Sequence, residues 1–238
     1  MRISDRKYAI TGAGRGLGAA LAIIMADAGA KPVLLGRNST TLNKTAEIIQ
    51  SRTNQKVETI RCDLADTESC THAGTKLSND HSDLDGLIHN GAMWLPGSMN
   101  DVTDVDIQAC ISSAAIGALI LTRHVLPVLL KRKNADIHTV VSTSGLPNAL
   151  SNGASIIFRA AKSAQDGFSR GLSDELAQTR VRVTAIYPGN IKDITPLEAS
   201  WNKARHNDDL LTNKEVTDAI MFTLNQPASV AVKSLVIE

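Results

Sequence analysis

Ile10-Thr11-Gly12-Ala13-Gly14-Arg15-Gly16-Leu17-Gly18 decides the fold of this chain. Before it, Lys7-Tyr8-Ala9-Ile10 is short and apolar, as a buried strand is. After it, Ala19-Ala20-Leu21-Ala22-Ile23-Ile24-Met25-Ala26 is rich in helix formers. Strand, glycine-rich turn and helix in that order make a phosphate-binding loop. Glycine tolerates the tight turn and lets the backbone approach a pyrophosphate, which sits at the positive N-terminus of the helix. The glycines do not follow Gly-x-Gly-x-x-Gly cleanly; Thr-Gly-x-x-x-Gly-x-Gly fits, at Thr11, Gly12, Gly16 and Gly18.

Outward from this loop, apolar stretches alternate with amphipathic ones, which predicts a parallel sheet covered on both faces. The strands fall at about 7–11, 32–36, 56–61, 85–89, 136–142, 181–186 and 230–236, with the longest helices at about 104–132 and 155–179. The expected fold is α/β, a Rossmann-like doubly wound sheet of about seven strands. With 238 residues and no repeat, low-complexity tract or linker, one dinucleotide-binding domain over residues 1–238 is expected.

Net charge is +1, from 25 basic and 24 acidic residues, a balance that gives no support to nucleic-acid or membrane-surface binding. Cys62, Cys70 and Cys110 are odd in number, scattered and without metal-ligand spacing, which points to a reducing compartment and to no metal site. Met1–Lys7 carries Arg2, Asp5, Arg6 and Lys7 with no apolar run behind it, unlike a signal peptide. Ala114–Leu130 is interrupted by Arg123, His124 and Pro127 and reads as too polar to span a bilayer. A cytoplasmic location is the expectation.

The glycine spacing resembles the cofactor loop of the short-chain dehydrogenase/reductase family, in its single-domain branch, and the likeness runs over nearly the whole chain. It implies that Gly12, Gly14, Arg15, Gly16, Leu17 and Gly18 hold a dinucleotide. At the end of the second strand, Gly36 stands where an NAD-preferring member carries Asp, and Arg37 follows. Arg37 and Arg15 together suit a dianionic 2′-phosphate, so NADP(H) is expected rather than NAD(H). Asp63-Leu64 resembles the family's adenine contact, while Asp66 reads as a helix cap. His89-Asn90-Gly91-Ala92 stands where the family has Asn-Asn-Ala-Gly; Asn90 and Gly91 are carried over as cofactor contacts, and His89 reads as a packed or hydrogen-bonded neighbour. Val181–Gly189 matches the sixth strand and its Pro188-Gly189 exit, which with Ile191 lies against the nicotinamide in relatives; Asp193 replaces the expected Thr.

The reaction centre departs from the pattern. Phe158-Arg159-Ala160-Ala161-Lys162 stands where the family has Tyr-x-x-x-Lys, and Ala114 where it has Asn. Positions i and i+4 share a helix face, so Phe158 and Lys162 converge on one place. In relatives the Lys lowers the Tyr pKa and the Tyr shuttles the proton accompanying hydride transfer. Phe158 has no proton to give, although Lys162 retains donors for the ribose hydroxyls. The family's Ser maps to Ser144 if one residue is inserted, with Ser142 next, and to Gly145 without a gap. Met93, Trp94, Leu146 and Trp201 are candidate pocket walls, with 195–211 as a lid. The resemblance implies an NADP(H)-linked oxidoreductase of small carbonyl or alcohol substrates with an altered proton path. The alternatives are a cofactor-binding regulatory or scaffold protein without turnover, or non-redox chemistry in the same pocket. It also implies a homodimer or homotetramer through the two long helices.

Overall fold

A computed structural model of the chain describes residues 2–148, 153–203 and 210–238. Its strands are β1 (Lys7–Thr11), β2 (Lys31–Gly36), β3 (Glu58–Arg61), β4 (Leu84–His89), β5 (Ala135–Val140), β6 (Val181–Pro188), β7 (Ile191–Lys192), β8 (Leu211–Thr212) and β9 (Ser234–Ile237). Seven pair into one parallel sheet in the order β3-β2-β1-β4-β5-β6-β9, while β7 and β8 pair apart from it. The order reverses between β1 and β4, so the connections after them lead to helices on opposite faces of the sheet, the kind of place where such folds bind a ligand.

Helices cover both faces because the strands are apolar on both. On one face lie α1 (Gly16–Asp27), α2 (Ser39–Thr53) and α7 (Asn213–Asn225), where Leu21 and Met25 meet Ile10, Leu34 and Ile220. On the other lie α3 (Thr67–Asp80), α5 (Gly117–Leu129) and α6 (Ile156–Glu175), where Leu77, Leu121 and Leu172 meet Ala9, Leu87 and Val183. Each predicted strand is present, with β6 reaching Pro188 and β9 starting at Ser234 rather than at 230.

The helix expected over 104–132 is not one regular helix. It runs as α4 (Asp104–Ile111), a π-helical segment (Ser112–Ile116) and α5, ending at Leu129. A π segment inserts a residue into the turn and re-aims the side chains beyond it. By length and composition Asp104–Leu129 does meet the requirement for a membrane span, with mean hydropathy 1.7, despite Arg123, His124 and Pro127. Half of that stretch is buried inside the fold, and its apolar residues Leu121, Val125 and Leu129 pack on the sheet.

At the amino end of the sheet, one carboxylate ties four segments together. Asp136 on β5 accepts hydrogen bonds from Arg182 Nε at 2.8 Å and from Arg2 Nη1, Arg6 Nη1 and the Tyr8 hydroxyl at 2.9 Å. Asp136 is 1% exposed and Arg182 is 6% exposed. Removing one partner of a buried pair strands the other charge. Asp136→Ala is therefore expected to lower unfolding stability by about 3–5 kcal/mol in urea titration, and a loss under 1 kcal/mol would contradict this account.

Candidate functional site

The glycine turn leaves β1 at the point where the strand order reverses, and it packs directly on the segment leaving β4. Gly12 has φ +67° and Gly16 φ +56°, a left-handed backbone that disfavours any side chain. A Cβ on Gly18 would collide with the Gly12 carbonyl oxygen and with Asn90 Nδ2, and one on Gly12 would lie 2.8 Å from Gly91 Cα. Asn90 Nδ2 donates to the Thr11 carbonyl at 3.1 Å. Thr11 Oγ1 accepts the Asn90 and Gly91 amides, both at 3.0 Å. Asn90 and Gly91 thus hold the turn in shape from beneath. Arg15 caps α1 with its backbone only, and no acidic side chain lies in the first turn of α1. The first amides of a helix have no intrahelical acceptor, so this end is built for an anion.

The strand exits beside the turn carry the remaining binding candidates. Gly14 packs against Thr41, whose Oγ1 would meet a Cβ there. Thr41 belongs to the first turn of α2, capped by Asn38, so the loop bearing Arg15 and the β2 exit bearing Arg37 meet edge to edge. Both arginines are exposed. Asp63 is half-buried, its carboxylate accepting the Ala65 amide at 3.1 Å and its own amide donating to Ser69 Oγ at 2.9 Å. Leu64 is wedged between two glycines: a Cβ on Gly91 would come 2.6 Å from Leu64 Cδ1, and one on Gly117 would strike the Leu64 carbonyl. Asp66 caps α3, as expected, by accepting the Glu68 and Ser69 amides. Cys62 and Cys70 lie thiol to thiol behind this loop, and that hydrogen-bonded contact, with burial, raises the Cys62 thiol.

Across the crevice, the serine loop and α6 bring the reaction-side candidates together. Ser142 Oγ accepts the Ser144 amide at 3.1 Å and so shapes the turn Thr143–Gly145. Ser144 is 3% exposed. A Cβ on Gly145 would lie 2.7 Å from the Lys162 carbonyl, so the gap-free counterpart of the family's Ser is a packing glycine. Ser155 caps α6 by accepting the Phe158 amide at 3.0 Å. Phe158 is buried with Cys110, Ala114, Ile157 and Ala161 in one apolar cluster. Lys162, 4% exposed, donates from Nζ to the Val140 carbonyl at 3.1 Å and to Gln165 Oε1 at 2.8 Å. Its Nζ lies 5.6 Å from the centroid of the Phe158 ring. Burial pulls the Lys162 ammonium from 10.5 down to about 7. Burial pushes the neighbouring Cys110 thiol up, and the Lys162 charge pulls it back in part.

His89 and Tyr187 supply no second titrating group here. His89 Nε2 and Thr122 Oγ1 are 2.8 Å apart, the ring packs edge-on to Phe168, and burial lowers its pKa to about 3. It is the packed neighbour the sequence suggests. Tyr187 is buried, donates its hydroxyl to Asp166 Oδ1 at 2.8 Å, and is pushed up to about 12 by burial.

The Pro188-Gly189 exit leads into β7, where Ile191 pairs with Leu211 and packs on the main core. Trp94 stays as a wall candidate: it is 51% exposed and meets the Phe158 ring edge-on, centroids 4.6 Å apart. Met93 is half-buried, its amide donating to Ser113 Oγ at 3.0 Å, and Leu146 packs toward Val141, Ala185 and Tyr187. Trp201, the remaining wall candidate, packs inward. It is 6% exposed and packs with Ala20 and Ile194, on the flank of α1, because apolar positions there need cover. The expected lid over 195–211 includes residues 204–209, which lie outside the described residues. Cys110 and Gln165 beside Lys162 escaped the sequence reading, although Gln165, three residues beyond Lys162 on the same helix, was within reach of helical spacing.

The comparisons with known proteins agree with this arrangement. The family model for short chain dehydrogenase matches residues 6–206, and the chain belongs to that family of oxidoreductases. An uncharacterized oxidoreductase of Staphylococcus saprophyticus is 29% identical over 239 residues, covering all of this chain and 98% of that one. A short-chain dehydrogenase from Shigella flexneri complexed with NADP superposes with TM-score 0.83 at 25% identity, over 98% of this chain and 97% of that one. L-Sorbose reductase from Gluconobacter frateurii, complexed with NADPH and L-sorbose, has the same fold at TM-score 0.85 and 21% identity, over 99% and 96% of the two chains.

The buried Lys162 carries a sign that stability measurements can read. Its pKa is about 7 in the fold, below its ordinary 10.5, so between those values the unfolded chain binds more protons than the native one. Its contribution to stability rises with pH across roughly 7 to 10 and is at its worst below 7. Lys162→Met is expected to flatten the slope of unfolding free energy against pH in that window, relative to wild type. An unchanged slope would contradict the buried ammonium.

Proposed function

We propose that this chain is an NADP(H)-linked oxidoreductase whose proton transfer runs through Lys162, without a phenol. The cofactor, when bound, supplies the hydride. The glycine turn and the open end of α1 fit a pyrophosphate, and the contact of Gly14 with Thr41 places Arg15 and Arg37 on adjoining loops, where two guanidiniums suit a 2′-phosphate. The relatives complexed with NADP or NADPH add support for a nicotinamide dinucleotide. Asp63, Leu64, Asn90 and Gly91 line or brace the adenine and ribose side, and Pro188, Gly189 and Ile191 the nicotinamide side.

The observation that carries the mechanism is the buried Lys162 ammonium, drawn into the neutral range beside the ring of Phe158. A general acid works best when its pKa lies near the working pH. Lys162 donates a proton toward the developing alkoxide of a small carbonyl substrate, and Ser144 steadies that oxygen. Proton transfer of this kind contributes about 10²–10⁴-fold to rate, so the phenol's loss is offset only as far as the ammonium reaches. The substrate, a second copy of the chain as partner, and a cytoplasmic setting are part of this reading.

The packing of Phe158 with Ala114 and Cys110 favours a second reading, a dinucleotide-binding protein without turnover. The two separate on measurement. In titration calorimetry NADPH is expected to bind more tightly than NADH, and Arg37→Ala to weaken NADPH alone by about 10–100-fold, as for one or two charge-assisted hydrogen bonds. With a panel of small ketones and aldehydes, NADPH consumption is expected to persist in wild type, to vanish in Lys162→Met, and to rise in Phe158→Tyr. Tight NADPH binding with no turnover in wild type or Phe158→Tyr would leave the second reading.

A further inference from the structure

Asp193 faces the end of the glycine turn, where the dinucleotide reading puts the pyrophosphate. A Cβ on Gly16 would lie 3.5 Å from Asp193 Oδ2 and 3.8 Å from Oδ1, so the carboxylate faces the first residue of α1. That helix end has no side-chain cap and no acidic residue of its own in the first turn. Its leading amides point to the same space, and an anion there is stabilised by them and by the helix dipole. The carboxylate is also held in place. Asn213 Nδ2 donates both to Asp193 Oδ1 and to the Ile194 carbonyl, the latter at 3.0 Å. Asn213 is the first residue of α7 and 2% exposed. The pairing of Ile191 with Leu211 and Lys192 with Thr212 fixes the segment on either side. A side chain anchored this way does not swing clear at the cost of one rotamer.

We propose that Asp193 is the residue that sets dinucleotide affinity in this protein, as a resident anion that opposes the pyrophosphate at the end of α1. The inference rests on the dinucleotide reading above and deepens it. Two like charges a few ångströms apart repel, and because Asp193 is exposed the repulsion is screened by solvent and salt. The carboxylate's charge already lies in the field of the helix end before the ligand arrives, so part of what the turn offers an anion is already used. The effect falls on the pyrophosphate, which NAD(H) and NADP(H) share, and not on the 2′-phosphate read by Arg15 and Arg37. Asp193 therefore lowers affinity for both dinucleotides by the same factor and leaves the preference between them alone.

The test is titration calorimetry on the full chain with NADPH, NADH and adenosine 2′-monophosphate, a probe that carries the 2′-phosphate and lacks the pyrophosphate. Asp193→Asn keeps an acceptor for Asn213 and removes the charge; Asp193→Thr is the second variant, with thermal unfolding as the check that each folds. Both variants are expected to bind NADPH and NADH at least tenfold more tightly than wild type, in equal ratio, with adenosine 2′-monophosphate unchanged. The gain is expected to shrink at 1 M NaCl, where the Debye length is about 3 Å. Equal or weaker dinucleotide binding in both folded variants would overturn the proposal, whether or not wild type binds. If adenosine 2′-monophosphate binds while the dinucleotides do not tighten, the role of Asp193 falls and the 2′-phosphate reading stands. If no probe binds wild type or either variant, the dinucleotide reading falls with it.

Discussion

The site depends on one close approach: the glycine turn after β1 lies directly against the segment leaving β4, with no side-chain carbon between them. Gly12, Gly18 and Gly91 permit the contact, and Asn90 and Thr11 stitch it with hydrogen bonds. Because β1 and β4 are neighbours at the reversal of strand order, this contact fixes where α1 begins and how its amides are aimed. The Arg15 loop and the Leu64 wedge adjoin it. A methyl group at Gly18 would have to displace backbone atoms, which are the least compliant neighbours available.

The second constraint is electrostatic, and the two ends of the sheet treat it differently. At the amino end Asp136 is buried with its cations beside it, so charge is paired and the segments from Arg2, Arg6, Tyr8 and Arg182 are cross-linked. At the carboxyl end Lys162 is buried with neutral acceptors only among the described residues, the Val140 carbonyl and Gln165 Oε1, and burial draws its proton off near neutrality. One end is arranged for stability; the other stores a cost that suits a group meant to exchange a proton.

Much of this was legible in the residues, and the exceptions have physical causes. The strands read clearly because apolar runs bounded by Gly, Asn and Asp leave few alternatives, and Asp66 caps α3 as expected. The alignment of Phe158 and Lys162 was legible because helical spacing is rigid. The π segment at Ser112–Ile116 was not, since nothing in Ser-Ser-Ala-Ala-Ile marks an extra residue in the turn. The setting of Trp201 was open because a large apolar side chain in a loop can cover a pocket or a helix flank, and only packing decides. The meeting of Cys62 with Cys70 and the facing of Asp193 toward Gly16 both depend on how loops fold back on the sheet, which no local pattern encodes.

Lys162, a buried amine drawn toward neutrality beside the Phe158 ring, carries the proposed proton transfer. This is tested most directly by nuclear magnetic resonance titration of the protein with its lysines labelled at Cε, with Lys162→Met to assign the signal. The account predicts one lysine titrating near pH 7, absent in Lys162→Met. Every lysine titrating near pH 10 would contradict it.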